Sequence, residues 1–174
     1  MSFFERLKKE IFRKDAAKLF VEHGGHLGKN VVMFDTKLDD LFPWLIAIGD
    51  NVTLTGVQVL AHDASTKRTL GYTKIGKVVI GNNVFIGRGS IILPNVTIGN
   101  NVVIGAGSII TKNIPDNSVA AGNPCRILKS YNDYINAQKE NLNGSIIIDK
   151  KPNELSQAEI QKLVEDLNGI GYIR

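Results

Sequence analysis

The sequence predicts a parallel β-helix, a coil of short strands wound about one axis, and three observations predict it. Ile or Leu recurs every six residues, at 48, 54 and 60 and again at 80, 86, 92, 98, 104 and 110. Gly follows most of these aliphatics, and a small or β-branched residue usually stands fifth, as in IGNNVF, IGRGSI, IGNNVV and IGAGSI. The period is too long for one face of a helix and too regular for ordinary alternating strands. A six-residue step instead suits one strand and one corner. The aliphatic points into the stack, and Gly or Asn at the corner accepts left-handed backbone that β-branched residues resist. Three hexads close a triangular coil, so residues 80–97 and 98–115 make two complete coils about 4.8 Å apart. Stacking buries aliphatics that no single repeat buries alone.

The remaining elements follow in chain order. Ser2-Phe3-Phe4-Glu5 is a capping-box pattern ahead of Leu7, Ile11 and Phe12 at helical spacing, so residues 1–26 are expected to form a helical cap. It would cover an open coil end or a neighbouring subunit. An outlying hexad, LGKNVV, opens at Leu27, and the β-helix is expected over 27–122. Segments 33–47 and 63–74 fall out of register and are expected as extruded loops, the part of a rigid scaffold that commonly carries function. Residues 123–174 are expected to form a helical extension, with one helix over 126–142 and Gly144 beyond its end. A second capping box, Ser156 to Glu159, opens a helix running to about Asn168, and Ser145 to Asp149 reads as a short strand. The tail GIGYIR fits none of these patterns.

Composition narrows the function classes. The chain has 174 residues, a net charge of +4 and 43% hydrophobic residues, enough for a packed core. The charge is unevenly placed. Residues 31–63 carry only Lys37 against Asp35, Asp39, Asp40, Asp50 and Asp63, whereas 64–115 carry Lys67, Arg68, Lys74, Lys77, Arg88 and Lys112 with no acid. So small a total excess does not indicate a nucleic-acid partner. The apolar run through Phe42 to Ile48 contains Pro43 and is far short of a membrane span. The N-terminus has charges every few residues and no apolar stretch of secretory type. A single cysteine, Cys125, excludes an internal disulfide framework and is expected to be structural. The expected location is cytoplasmic, without a transmembrane segment.

From Ile48 to about Lys129 the chain resembles the hexapeptide-repeat acyltransferases, in the maltose/galactoside and surface-polysaccharide O-acetyltransferase branch. The most specific element is IGAGSIITKNIPDNSVAAGNPCRIL, residues 104–128, in which the last coil leads through a Thr-Lys pair to an Ala-Gly-x-Pro-x-Arg segment. Parallel crossovers are overwhelmingly right-handed, but the resemblance implies a left-handed coil. It also implies acetyl-CoA as co-substrate, no metal requirement, and a homotrimer with active sites between subunits.

His62, in LAHDAS, matches the family's catalytic histidine. A hydroxyl attacking a thioester must lose its proton as it bonds, and imidazole, with a reference pKa of about 6.5, is matched to that task near neutral pH. His62 would then return the proton to the leaving thiolate. Asp63 is adjacent, but strand neighbours point to opposite faces, so it is a weak candidate to orient the ring, and a backbone carbonyl would serve instead. The resemblance places Thr111, Lys112, Arg126 and Lys129 where relatives contact coenzyme A, with cations meeting its phosphates. Gly87, Ala106 and Gly107 would border the pantetheine arm, and Arg88 would reach a phosphate or stand in solvent. The saccharide acceptor would meet Asp35, Asp39, Asp40, Trp44 and the loop beginning at Asp63, through carboxylate hydrogen bonds and stacking on indole.

Three other readings share this coil. An N-acetyltransferase of an amino sugar would use the same acidic approach. A zinc carbonic anhydrase needs three histidine ligands, and only His23, His26 and His62 exist, two of them ahead of the main coil. A non-catalytic solenoid would need none of this chemistry.

Overall fold

The computed structural model describes residues 16–174, so the helix expected at the Ser2 capping box lies outside the described residues. The chain divides into two compact units that part at Tyr131.

In the first unit three ladders of parallel strands form the sides of a triangular prism. The first ladder stacks His26–Leu27, Ile46–Ile48, Val78–Ile80 and Val96–Ile98. The second stacks Val32–Phe34, Val52–Thr55, Val84–Ile86, Val102–Ile104 and Ser118–Ala121. The third stacks Lys37–Leu38, Gln58–Val59, Ile91–Ile92 and Ile109–Ile110. In-register pairing brings Ile48, Ile80 and Ile98 into one row and Leu54, Ile86 and Ile104 into another. Those six and Ile92 and Ile110 are at most 1% exposed, so the hexad aliphatics are the core. Helical residues 16–22 add to it: Phe20 joins the core cluster, against which Met33 and Leu38 also pack. Gly25 makes room for the Phe20 ring, since a Cβ there would stand 2.3 Å from it.

The corners are built from left-handed residues. At the corner between the first and second ladders, Asn30, Asn51, Asn83, Asn101 and Asn117 all have φ between 53° and 56°. Each donates its side-chain amide to the next, at 2.9–3.1 Å along the row from Asn30 to Asn117. At the next corner Asp35, Gly56, Gly89, Gly107 and Gly122 take the same sign of φ. Asn tolerates this conformation because its short side chain hydrogen-bonds locally, and here it bonds to the coil beyond.

Three expectations are corrected. Segment 33–47 is not one extruded loop. Val32–Phe34 and Lys37–Leu38 pair with Val52–Thr55 and Gln58–Val59 and complete an additional coil. Its core positions are Met33 and Leu38, five residues apart, which hides them from a six-residue search. The same short step recurs in the next coil, where Val59 rather than Leu60 pairs with Ile92. There Gly56 turns the corner one residue early. Finally, 126–142 is not all helix: Arg126–Ser130 forms a strand antiparallel to Ser118–Ala121, and the helix is Tyr131–Leu142. The open backbone edge of Ser118–Ala121 overrides local helix propensity.

The 63–74 segment leaves the coil through a two-stranded antiparallel stem, His62–Asp63 with Lys74–Ile75, and carries the short helix Lys67–Leu70. In the second unit the tail supplies Tyr172–Ile173, parallel to Ile147–Ile148, and helix Gln157–Asp166 lies between them in sequence. That helix opens on the expected capping box, with Ser156 N donating to Glu159 at 2.9 Å and Glu159 N donating to Ser156 Oγ at 3.3 Å.

The asparagine ladder is testable at Asn101, which bonds to both Asn83 and Asn117. Asn101→Ala loses the side-chain bonds and strains the corner, an expected loss of about 2–3 kcal/mol. Asn101→Gly loses only the bonds and recovers about 1 kcal/mol of that. Urea unfolding of both variants measures the difference, and equal losses would show that the conformation contributes nothing.

Candidate active site

The candidate histidine, His62, stands where the second coil leaves its third ladder, at the root of the 63–74 excursion. Its partner comes from the preceding coil. After Leu38 the chain turns a corner, and there Asp39 is directed inward with its side chain 1% exposed. Its Oδ2 accepts a hydrogen bond from Ala61 N at 2.8 Å and lies 2.5 Å from His62 Nδ1. Its Oδ1 accepts from Leu41 N at 3.1 Å and Phe42 N at 3.3 Å. Burial pushes the Asp39 carboxyl pKa up, but the bonds from Ala61, His62 and Leu41 outweigh it and hold the group below its ordinary value. The ionised carboxylate only accepts, so Nδ1 carries a proton, and in the neutral ring Nε2 is left with the lone pair. The Phe42 ring packs against the imidazole, with centroids 5.1 Å apart. Carboxylate and ring together fix the histidine.

The His62 side chain is 25% exposed and lines a cavity of about 760 Å³. Among the described residues, the helix contributes Ala16, Ala17, Leu19 and Phe20 to its lining, and the coil contributes Met33 and Leu38 with the polar Asp35, Lys37, Asp40, Gln58 and His62.

The predicted acceptor residues separate. Asp35 and Asp40 line this cavity, and Asp35 Oδ2 lies 4.0 Å from Arg88 Nη2. Asp39, grouped with them from sequence, is the partner that orients His62. Among the described residues neither Asp63 nor a backbone carbonyl takes this place at Nδ1. Asp63 instead pairs with Lys74 at 2.5 Å and accepts from Ser65 N at 2.8 Å. These bonds, Lys74's first, bring its pKa to about 2. It fastens the stem of the excursion and does not line the cavity. Trp44, 59% exposed, meets Phe42 edge-on with centroids 5.7 Å apart and also stands outside the lining. Nothing in the sequence distinguished Asp39 from Asp35 and Asp40. The five-residue step that sets its direction is visible only once the strands are paired.

The predicted donor residues lie along both edges of the third ladder. One edge carries Thr111 and Lys112, directly after Ile109–Ile110, on the corner that carries Leu60 and Ala61 two coils away. The other carries Gly87 and Arg88 above Ala106 and Gly107. A Cβ on Gly87 would stand 2.6 Å from Ala106 N, whereas one on Gly107 would meet open space. Arg126 and Lys129 are exposed on the strand that caps the second ladder, with Arg126 Nη1 donating to Cys125 O at 2.9 Å. Cys125 is buried, which pushes its thiol pKa up, and it plays no part at His62. Among the described residues no three His, Cys, Asp or Glu side chains converge as a metal-ligand set.

Asp39 makes stability depend on pH. A carboxyl whose folded pKa lies below its unfolded value stabilises the fold above that unfolded value, near 4, and loses the contribution as pH falls through the folded value. Removing the charge by Asp39→Asn is therefore expected to cost about 2–4 kcal/mol at pH 7, and less below about pH 4. Urea unfolding at the two pH values measures this, and a gap that does not narrow in acid contradicts the assignment.

Comparison with known proteins bears on the same region. Residues 77–112 match the family described as bacterial transferase hexapeptide (six repeats). Protein CapG of Staphylococcus aureus is 40% identical over 137 residues, 76% of this chain and 78% of that protein. The galactoside O-acetyltransferase of Escherichia coli (strain K12) is 41% identical over 143 residues, covering 74% and 69%. A hexapeptide-repeat acetyltransferase from Vibrio cholerae O1 biovar eltor, solved with acetyl coenzyme A, matches with a TM-score of 0.54. It is 26% identical, over 68% of this chain and 78% of that one. The coil is thus the left-handed β-helix of hexapeptide repeats, and the enzyme is an acetyltransferase that uses acetyl-CoA. No helix among the described residues is long and apolar enough to cross a membrane. The chain belongs to the hexapeptide-repeat acyltransferases, in the branch of the galactoside and maltose O-acetyltransferases.

Proposed function

We propose that the acceptor is a saccharide hydroxyl and that His62 removes its proton in a direct transfer. The observation that carries this reading is the Asp39–His62 pair opening on the cavity. The hydroxyl oxygen attacks the thioester carbonyl carbon while Nε2 takes its proton. Asp39 stabilises the imidazolium that forms. When the carbon–sulfur bond breaks, the imidazolium returns the proton to the thiolate, and the ester and coenzyme A leave. Asp35 and Asp40 accept hydrogen bonds from other hydroxyls of the sugar. The galactoside relative supports a sugar acceptor.

For the donor, the reading assigns Gly87, Ala106 and Gly107 to the pantetheine arm, where small residues permit close approach. Thr111, Lys112, Arg126 and Lys129 would meet the nucleotide end, the cations through its phosphates. Arg88 belongs with this group or with Asp35. The reading also includes a homotrimer, supported by exposed apolar side chains on the coil exterior such as Phe34, Val79 and Phe85, and a cytoplasmic location where acetyl-CoA is supplied.

His62→Ala is expected to lower kcat about 10²–10⁴-fold with the KM for acetyl-CoA little changed. Release of coenzyme A thiol in the presence of galactosides and amino sugars measures it. Full activity in the variant would remove His62 as base, and exclusive turnover of amines would replace the hydroxyl acceptor by an amine. Light scattering should give three times the 19.0 kDa chain mass, and a monomer would contradict sites shared between subunits.

A further inference from the structure

His23 lines the same cavity as His62 and has no part in the transfer described above. It lies just past helical residues 16–22, and its Nδ1 is 2.8 Å from the backbone oxygen of Leu19. That oxygen also accepts the His23 backbone N–H at 3.0 Å. A carbonyl oxygen only accepts, so Nδ1 carries a proton, and in the neutral ring Nε2 is left as the acceptor. His62 reaches the same condition by a different route, its Nδ1 being held by Asp39. The cavity therefore has two imidazoles in its lining that donate from Nδ1. Each has its proton committed to the protein, and each has Nε2 as its remaining acceptor.

We propose that His23 is a positioning residue for the acceptor: its Nε2 accepts a hydrogen bond from a second hydroxyl of the sugar whose reactive hydroxyl is held by His62. The ligand class is a polyol able to place two hydroxyls toward two acceptors at once. Holding a second hydroxyl restricts which one reaches His62, so His23 helps determine the position acetylated. Because the rest of the lining changes from apolar on the helix wall to polar on the coil wall, His23 supplies the polar contact on the helix side. The inference rests on the saccharide reading.

The test compares wild type, His23→Ala and His23→Gln, using acetyl-CoA with methyl β-galactopyranoside and with maltose. Coenzyme A release gives the kinetics, and NMR of the products gives the acetylated position. Gln keeps an acceptor oxygen near the place of Nε2. The expected result for His23→Ala is a rise of about tenfold in the KM for sugar, an unchanged KM for acetyl-CoA, and a mixture of positional esters. His23→Gln is expected to restore most of the affinity and selectivity. The proposal is overturned if His23→Ala gives the wild-type sugar KM and product. It is equally overturned if both variants raise the two KM values together, because that marks loss of packing by the helix. Wild type inactive with these sugars but active with an amine or a non-sugar alcohol removes the saccharide reading, and this role of His23 with it.

Discussion

Every coil of this protein depends on residues that can hold a left-handed backbone at the corners. Asn at one corner and mostly Gly at the next let the chain turn without clashing with its own Cβ atoms. The asparagine row does more than permit the turn. Its amides bond from coil to coil and set the register that brings Ile48, Ile80 and Ile98 into one row. The buried aliphatics supply most of the stabilisation, at roughly 25 cal/mol for each Å² of apolar surface removed from water. The corners decide which aliphatics meet.

The same rule limits what could be read from the sequence. Wherever the step was six residues, Ile80 to Ile110, the core was legible residue by residue. It stopped being legible where a corner lost a residue. Leu60 fits the period but not the core, and Val59 takes its place; Met33 and Leu38 form core positions inside a segment that appeared irregular. In each case the aliphatic pattern reports spacing along the chain, while the structure responds to strand pairing between coils. The strand Arg126–Ser130 was hidden for a related reason, because its partner edge is created by the end of the coil.

The candidate site divides in the same way. His62 was accessible from its place in a hexad and from the family pattern, since both are local in sequence. Asp39 is 23 residues earlier and becomes its partner only because two coils stack. Asp63, next in sequence, is turned to Lys74 and the excursion stem. Neighbours along a strand are poor partners and neighbours across a ladder are good ones, so a search for the orienting acid along the chain looks in the wrong direction. The donor residues show the converse. Gly87, separated in sequence from Gly105 and Ala106, comes to lie on their shared peptide because a period of 18 residues between coils places it there.

The bond from Asn51 to Asn83 joins the two coils that flank the 63–74 excursion in sequence. Continuity of the solenoid therefore does not run through the excursion. Closing a longer loop at fixed ends raises the entropy cost by only about 0.6 kcal/mol for each doubling of length. Insertions and deletions there are thermodynamically cheap, while those at an asparagine corner displace every later row. A segment anchored beside His62 can thus diverge in length and composition while the scaffold stays the same. That separation gives this architecture a route to new acceptors without rebuilding its core.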